Sequence, residues 1–339
     1  MLATLWRSRR VSQSVMIIAL LGICSSAWAK LGVQDFRGST MSVSNSVSYS
    51  TINKSTNLTY NPFFNTMLAI APRYWVNRGL FVAGRLSLDR EWTERDDGTM
   101  RDETRLSNLT LRVGALLHRW DFGLLTFVGS GINFPTSPFS QAQTLNAQVN
   151  AVIGFIQSLS SWGSLNYFLS VAHNNFRYTT GEIETPRINA CGDDPSACSF
   201  LNTGVRNAPW VISHTVSLNY FPKSWLFLSA SATLIESYLF NRGVDDSSIS
   251  HVAQEPANKR YLMSYSAEVD VQPTQWLVVA FMMNTFNPQL APNSTYYRPF
   301  FNRNTSFMID LRFTLGVFRV AQSSDDKKSK KSKKSKKKG

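Results

Sequence analysis

The chain has 339 residues, a length that permits one large β domain or two smaller ones. Its formal charge is +13, but the charge is unevenly distributed. The first 29 residues carry +3 and residues 325–339 carry +7, which leaves +3 for the remainder. The body of the chain is therefore nearly neutral, and the high pI is no evidence for a nucleic-acid-binding domain. After residue 30 no apolar stretch is long enough for a membrane-spanning helix.

The first 29 residues have the three parts of an export signal. Arg7, Arg9 and Arg10 form a positive region, and a short apolar run follows at 15–23. Ala27 and Ala29 then provide the small residues of a cleavage site. We therefore expect residues 1–29 to be a cleaved signal peptide, followed by a short periplasmic segment at 30–37.

Cys191 and Cys198 are the two cysteines that remain after this signal, and they bracket a turn-rich stretch. Two nearby cysteines in an exported protein favour a disulfide that closes a small loop. A metal site is the alternative, but it needs more ligands than two thiols and the flanking aspartates. The sequence predicts a disulfide, no metal site and no cofactor.

From residue 38 to residue 318 the chain repeats a unit of strand, very short turn, strand and longer polar loop. Alternating apolar and polar residues mark the strands, as in Ala147, Val149 and Ala151 against Gln148 and Asn150. A soluble β-sandwich would alternate in the same way. Twelve strands are predicted, at 39–50, 64–75, 80–91, 106–118, 124–134, 146–157, 165–176, 211–221, 225–237, 261–272, 276–286 and 306–318.

Tryptophan placement favours a membrane protein over a sandwich. Indole rings prefer the membrane–water interface, whereas core tryptophans would fall in mid-strand more often. Five tryptophans lie at the five short turns, which predicts an aromatic girdle at one end of the strands. These are Trp75, Trp120, Trp162, Trp225 and Trp276.

Together, the signal peptide, the alternating strands, the tryptophan-marked turns and the aromatic-ended last strand, 307–318, resemble bacterial outer-membrane β-barrel proteins. The resemblance covers residues 38–318 and identifies no subfamily. It implies a closed antiparallel transmembrane β-barrel of about 12 strands, set in outer-membrane lipid. Strands in hydrocarbon must close into a barrel, because no edge can be left unpaired. Such chains usually stop at the final aromatic residue, whereas this one continues from Arg319 into a lysine-rich tail.

If the apolar positions face lipid, a set of charged residues faces the lumen. Basic residues on strands two to four would then oppose acidic residues on strand ten and create a transverse field that sorts polar solutes. The alternative is an internal ion-pair network that fills the lumen. The predicted lumen-lining charges are Arg73, Arg85, Asp89, Arg112, Glu268, Asp270, Asp310 and Arg312.

The function we expect is porin-like transport, the passive passage of small polar solutes through a narrow lumen. An outer-membrane lipid or peptide hydrolase is a second possibility. It would need a histidine base beside a nucleophile, and the four histidines favour interface or lumen positions instead. A structural or adhesive barrel that acts through its extracellular loops is the third. No catalytic residue is predicted from His118, His173, His214 or His251.

The lysine-rich tail at 319–339 is expected to be disordered, because like charges in a block repel one another. An even number of strands would place it in the periplasm. There it could bind peptidoglycan or another anionic envelope polymer, or act only as a solubilising tail. We expect no nucleic-acid partner for an exported protein.

Overall fold

The computed structural model describes residues 36–53, 62–93, 104–184, 200–241, 258–288 and 297–315. Within these residues no helix is both long and apolar enough to cross a membrane. Two short helices occur, α1 (Tyr49–Ile52) and α2 (Pro138–Ala142). The strands are β1 (Thr40–Ser48), β2 (Phe64–Ala71), β3 (Arg73–Trp75), β4 (Leu80–Glu91), β5 (Thr104–Leu106), β6 (Leu109–Arg119), β7 (Leu124–Phe134), β8 (Leu145–Ser160), β9 (Gly163–Phe176), β10 (Thr180–Glu184), β11 (Phe200–Arg206), β12 (Trp210–Lys223), β13 (Leu226–Tyr238), β14 (Lys259–Thr274), β15 (Leu277–Pro288) and β16 (Thr305–Thr314).

The strands form a closed ring. Each strand of the ring pairs antiparallel with its neighbours, and β1 pairs with β2 on one side and with β16 on the other. β2 and β3 together form one strand of the ring, and so do β5 and β6. The barrel therefore has 12 strands. The predicted fold class is confirmed. Outside the ring, β10 and β11 form a separate two-stranded hairpin in the longest loop.

Two ring strands are interrupted, and neither interruption was predicted. Pro72 separates β2 from β3, because proline has no N–H to donate to the ladder. Its carbonyl still accepts a hydrogen bond from Gly84 N at 2.9 Å. Ser107 and Asn108 separate β5 from β6, where Ser107 N still donates to Ser87 O at 2.8 Å. The pairing with β4 therefore continues across both breaks.

The pairing register divides the side chains into two faces. On one face, residues two strands apart touch: the rings of Phe81 (β4) and Phe127 (β7) stack 6.2 Å apart, although β6 lies between them. Arg312 on β16 likewise reaches Glu268 on β14 across β15. Side chains converge in this way only on the concave surface, so this face is the inner one. The opposite face carries exposed apolar side chains, among them Leu68, Ile70, Leu86, Leu111, Leu165, Val216, Leu218, Phe281 and Ile309.

Aromatic side chains mark both ends of the outer surface. Trp92 and Trp210 lie at the long-loop ends of β4 and β12. At the short-turn end, the rings of Trp120, Trp162 and Trp276 lie beside His118, Tyr220 and Phe313, all on the outer face. Trp225 is exposed in its own short turn.

Trp75 differs from the other short-turn tryptophans. The register of β3 places it opposite Phe81, and its ring lies 5.0 Å from that of Phe81 on the inner face. Its Nε1 donates to Arg37 O at 2.9 Å. Trp75 therefore lies at the short-turn rim of the lumen, and its expected place in the outer girdle is corrected. The side-chain parity of β3, which pairs Trp75 with Phe81, accounts for the difference.

The outer aromatic side chains are spaced to fit a bilayer. Trp210 and Tyr220 lie on one face of β12, about 34 Å apart along the strand at about 3.4 Å per residue. With a strand tilt of about 40°, this corresponds to about 26 Å along the barrel axis, close to the ~25 Å apolar band of transmembrane barrels. The exposed apolar side chains of Val216 and Leu218 lie between them.

Candidate functional site

The inner face of β9, β12, β13 and β14 is a wall of small hydroxyl and amide side chains that hydrogen-bond across the strands. Asn166 Nδ2 donates to Ser217 Oγ at 3.3 Å, and Thr215 and Thr233 share a hydrogen bond of 3.0 Å. The same pattern continues on β14, where Ser266 Oγ lies 2.7 Å from Ser231 Oγ. Short side chains of this kind satisfy one another and extend only a little way from the wall.

Arg312 on β16 organises the neighbouring wall. Its guanidinium binds three carboxylates: Glu268 at 2.6 Å, Asp270 at 3.2 Å and Asp310 at 2.6 Å. Asp310 also accepts a hydrogen bond from Ser44 Oγ on β1 at 2.7 Å. We call Arg312 with these three carboxylates the Arg312 cluster. It joins β14 to β16 across β15, and through Ser44 it crosses the seam at which the barrel closes.

A smaller ion-pair group lies toward the long-loop end of β4. Arg105 on β5 contacts Glu91 at 3.1 Å and Asp89 at 3.6 Å, and Asp89 also accepts a hydrogen bond from Asn65. The Glu91 side chain is fully buried. The sequence prediction included Asp89 but missed Arg105 and Glu91. Arg105 lies just before the predicted strand start at 106. Continuing the alternation of β4 by one step, from Asp89 to Glu91, would have found the second carboxylate.

The wall formed by β3, β4 and β6 carries the arginine ladder, Arg73, Arg85 and Arg112. In the register Arg85 lies opposite Thr110 and Arg112 lies opposite Ala83, so the two arginines are diagonal neighbours on one face. Among the described residues, none of the three guanidinium groups makes a hydrogen bond or an ion pair. Arg73 instead lies over the ring of Phe81 at 4.7 Å, a cation–π contact.

Next to the ladder, three phenylalanine rings lie against the inner wall and form the phenylalanine strip: Phe81, Phe127 and Phe168. Glycine makes this possible, since a Cβ at Gly114 would lie 2.4 Å from Phe81 Cζ and 2.9 Å from Phe127 Cε2. A Cβ at Gly154 would lie 2.4 Å from Phe168 Cε1. The rings therefore occupy space that any other residue at these glycines would take.

All eight charged residues expected in the lumen lie on the inner face, but they do not form one network. Four are arginines and four are carboxylates, so their formal charges cancel. Arg312 joins three of the carboxylates, Asp89 joins Arg105, and the arginine ladder stays apart. An ion-pair cluster therefore lies on one wall, and three arginines without an ion-pair partner among the described residues lie on another.

The histidines do not form a hydrolase-like site in the described part of the chain. His214 Nδ1 lies 2.9 Å from Tyr167 Oη on the outer face. The ring of His173 lies 4.3 Å from Trp210, and that of His118 lies 4.6 Å from Trp120. No histidine–serine hydrogen bond occurs among these residues, and His251 lies outside them.

Several other sequence predictions fall outside the described residues. They concern the signal peptide at 1–29, the Cys191–Cys198 disulfide, the last predicted strand residues at 316–318, and the lysine-rich tail at 319–339. These stay predictions.

Bacterial outer-membrane proteins are the solved structures to which the chain is similar. A NanC porin has 9% sequence identity and a TM-score of 0.46, with 81% of this chain and 100% of that chain covered. The fold is that of bacterial outer-membrane β-barrel proteins. LpxR from Salmonella typhimurium has 9% identity and a TM-score of 0.39, with 81% and 100% covered. The translocator domain of the autotransporter NalP from Neisseria meningitidis has 8% identity and a TM-score of 0.34, with 91% and 98% covered.

No protein-family model matches the chain, and no curated protein sequence does. At these identities and TM-scores the solved structures carry no argument about function, and the closed barrel rests on the strand pairing of the chain itself. The protein is a barrel of the bacterial outer membrane, surrounded by membrane lipid. The fold does not specify an activity, because one fold carries sites for unrelated functions.

Proposed function

We propose that the protein is a narrow pore through which small polar solutes pass passively. The support comes from the inner face, which is polar on most strands and rich in short side chains, with the apolar rings of the phenylalanine strip on one wall. Hydroxyl and amide groups on β9, β12, β13 and β14 offer hydrogen bonds to a passing solute, and charged groups on two other walls orient it.

Water access to the inner wall is the observation that carries this proposal. Arg85 and Arg112 are exposed although they point into the barrel. Even within the ion-paired Arg312 cluster, the side chains of Arg312 and Glu268 keep 29% and 20% of their accessible surface. A lumen filled by its own side chains would bury these groups, as it would bury the core of a soluble protein.

Single-channel recording of the refolded protein in a planar bilayer tests the pore. We expect stable conductance steps in potassium chloride, because the polar and charged side chains of the inner face favour water and ions over an apolar filling. Heat-modifiable migration on gels should first establish that the barrel is folded. Folded protein that inserts but gives no steps would overturn the pore and favour a barrel that acts through its extracellular loops.

The lysine-rich tail is proposed to lie in the periplasm and to bind an anionic envelope polymer such as peptidoglycan. In support, Thr40 on β1 pairs with Thr314 on β16, so the two ends of the barrel domain leave from the same rim, the rim of the short turns. Short turns face the periplasm in barrels of this kind. Residues 325–339 carry +7, and each lysine near an anionic surface adds about 1 kcal/mol, screened within about 8 Å at physiological salt.

Protease treatment of intact cells tests the position of the tail, and cell-wall pull-down tests its partner. The tail should survive the protease, and the pull-down should weaken with added salt and with deletion of residues 325–339. Cleavage of the tail in intact cells would contradict the periplasmic position. A pull-down that changes neither with added salt nor with deletion of residues 325–339 would contradict the binding role.

A further inference from the structure

We infer that the arginine ladder and the phenylalanine strip together form a binding site for small organic carboxylates that carry a flat apolar face. This inference rests on the proposed function, since it names the class of solute that the inner face would select. It depends on three features of β3, β4, β6 and β7. The arginines have no ion-pair partner among the described residues, aromatic rings lie on the same face, and the arginines and the rings are neighbours.

The cations require a partner from solution. Arg85 and Arg112 are diagonal neighbours, exposed inside the barrel, and Arg73 lies on the adjoining strand β3. No described carboxylate pairs with any of them, whereas Arg312 on the other wall binds three. Like charges held side by side repel one another, and an anion between them offsets that repulsion. Arginine suits a carboxylate in particular, because its planar fork donates two parallel hydrogen bonds.

The aromatic faces select the rest of the ligand. The ring centroids of Phe81 and Phe127 lie 6.2 Å apart with an interplanar angle of 13°, and both rings pack over Gly114. The Arg73 guanidinium already lies over the ring of Phe81 at 4.7 Å. A planar apolar group of a ligand would therefore pack against the Phe127 side of the strip. Such ring–ring contacts contribute roughly 0.5–1.5 kcal/mol beyond the area that they bury.

The register brings the two halves of the site together. Gly114, which lies under the stacked rings, is two residues from Arg112 on the same face of β6. Phe81 and Arg85 likewise share the inner face of β4. A carboxylate bound between Arg85 and Arg112 would therefore place its apolar body against Phe127, beside Phe81. The Arg312 cluster lies on β14 and β16, and its excess of carboxylates repels a second anionic group on the ligand.

Saturation-transfer NMR on the refolded barrel tests this site with three probes. Benzoate has both the charge and the ring, benzamide has only the ring, and acetate has only the charge. We expect benzoate to bind at least tenfold more tightly than either of the others. The double variant R85Q/R112Q should lose benzoate binding at least tenfold, whereas R90Q, which removes an arginine from the outer face of β4, should leave it unchanged. The single variant R85Q provides the same comparison if the double variant does not fold.

The outcomes separate the site from the pore. Equal binding of benzoate and acetate would overturn the role of the phenylalanine strip. Unchanged benzoate binding in R85Q/R112Q would overturn the role of the ladder. Benzoate binding to a protein that gives no conductance steps would support the site while the pore fails. Conductance steps without benzoate binding would support the pore and overturn the site.

Discussion

Replacing Ile153 by lysine is expected to destabilise the barrel by about 2–4 kcal/mol. Ile153 lies near the middle of β8, on the outer face, and its register partners on both sides are the apolar residues Val128 and Leu169. At this depth the lysine would be surrounded by acyl chains, too far from either interface to place its charge in water. Urea unfolding of the protein refolded in lipid vesicles, followed by tryptophan fluorescence, measures the change.

Ser170 provides the matched control, because it pairs with Val152 and so lies at the same depth on the inner face. The variant S170K introduces the same charge but directs it into the lumen, where it should cost less than about 1 kcal/mol. A larger loss for S170K than for I153K would mean that the two faces are assigned the wrong way round. The comparison therefore tests the register of the whole barrel.

The barrel could be predicted from the sequence because its main constraint is local. A strand with one face in lipid must alternate strictly, and short turns and longer loops must follow the strands in turn at the two bilayer surfaces. β4 and β7 begin and end as predicted, at Leu80–Glu91 and Leu124–Phe134. Closure followed from the need to pair every backbone group in hydrocarbon.

Local signals did not reveal the irregular parts. Pro72 interrupts its strand, but pairing with β4 and the alternation both continue past it. At the Ser107–Asn108 pair the inward positions change from odd to even, from Arg105 to Thr110, although the pairing with β4 continues. The β10–β11 hairpin lies in a loop, where no bilayer imposes a period on the sequence. Trp75 was assigned by its position beside a turn, whereas its side-chain direction depends on the register of β3 with β4.

The candidate site was only partly predictable for a related reason. Alternation alone shows that Arg85, Arg112 and Arg312 share the inner face. It does not show that Arg312 reaches three carboxylates while the other two arginines reach none, because the contacts with Glu268 and Asp270 span two strands and depend on the curvature of the wall. The phenylalanine strip was missed because a glycine fits the polar face of a strand without indicating a contact, whereas Gly114 and Gly154 are the positions that accommodate the rings.

The Arg312 cluster is expected to stabilise the closing seam, and R312Q should lower the free energy of unfolding by about 2–4 kcal/mol. Removing the arginine leaves Glu268, Asp270 and Asp310 close together without a cation. Breaking one partner of a buried ion pair typically costs about 3–5 kcal/mol, and the partial exposure of these side chains reduces that figure. Urea unfolding in lipid vesicles measures the loss, with R78Q as a control that removes an exposed arginine from a short turn.

A rescue experiment separates carboxylate repulsion from a loss of packing. In the triple variant R312Q/E268Q/D270N the remaining carboxylate, Asp310, keeps its hydrogen bond from Ser44 and has no charged neighbour in the cluster. We expect at least half of the lost stability to return, because the repulsion is gone while the side-chain volumes are nearly unchanged. If the triple variant is as unstable as R312Q, the arginine acts through packing against Met282 and its neighbours, and the electrostatic account of the seam is wrong.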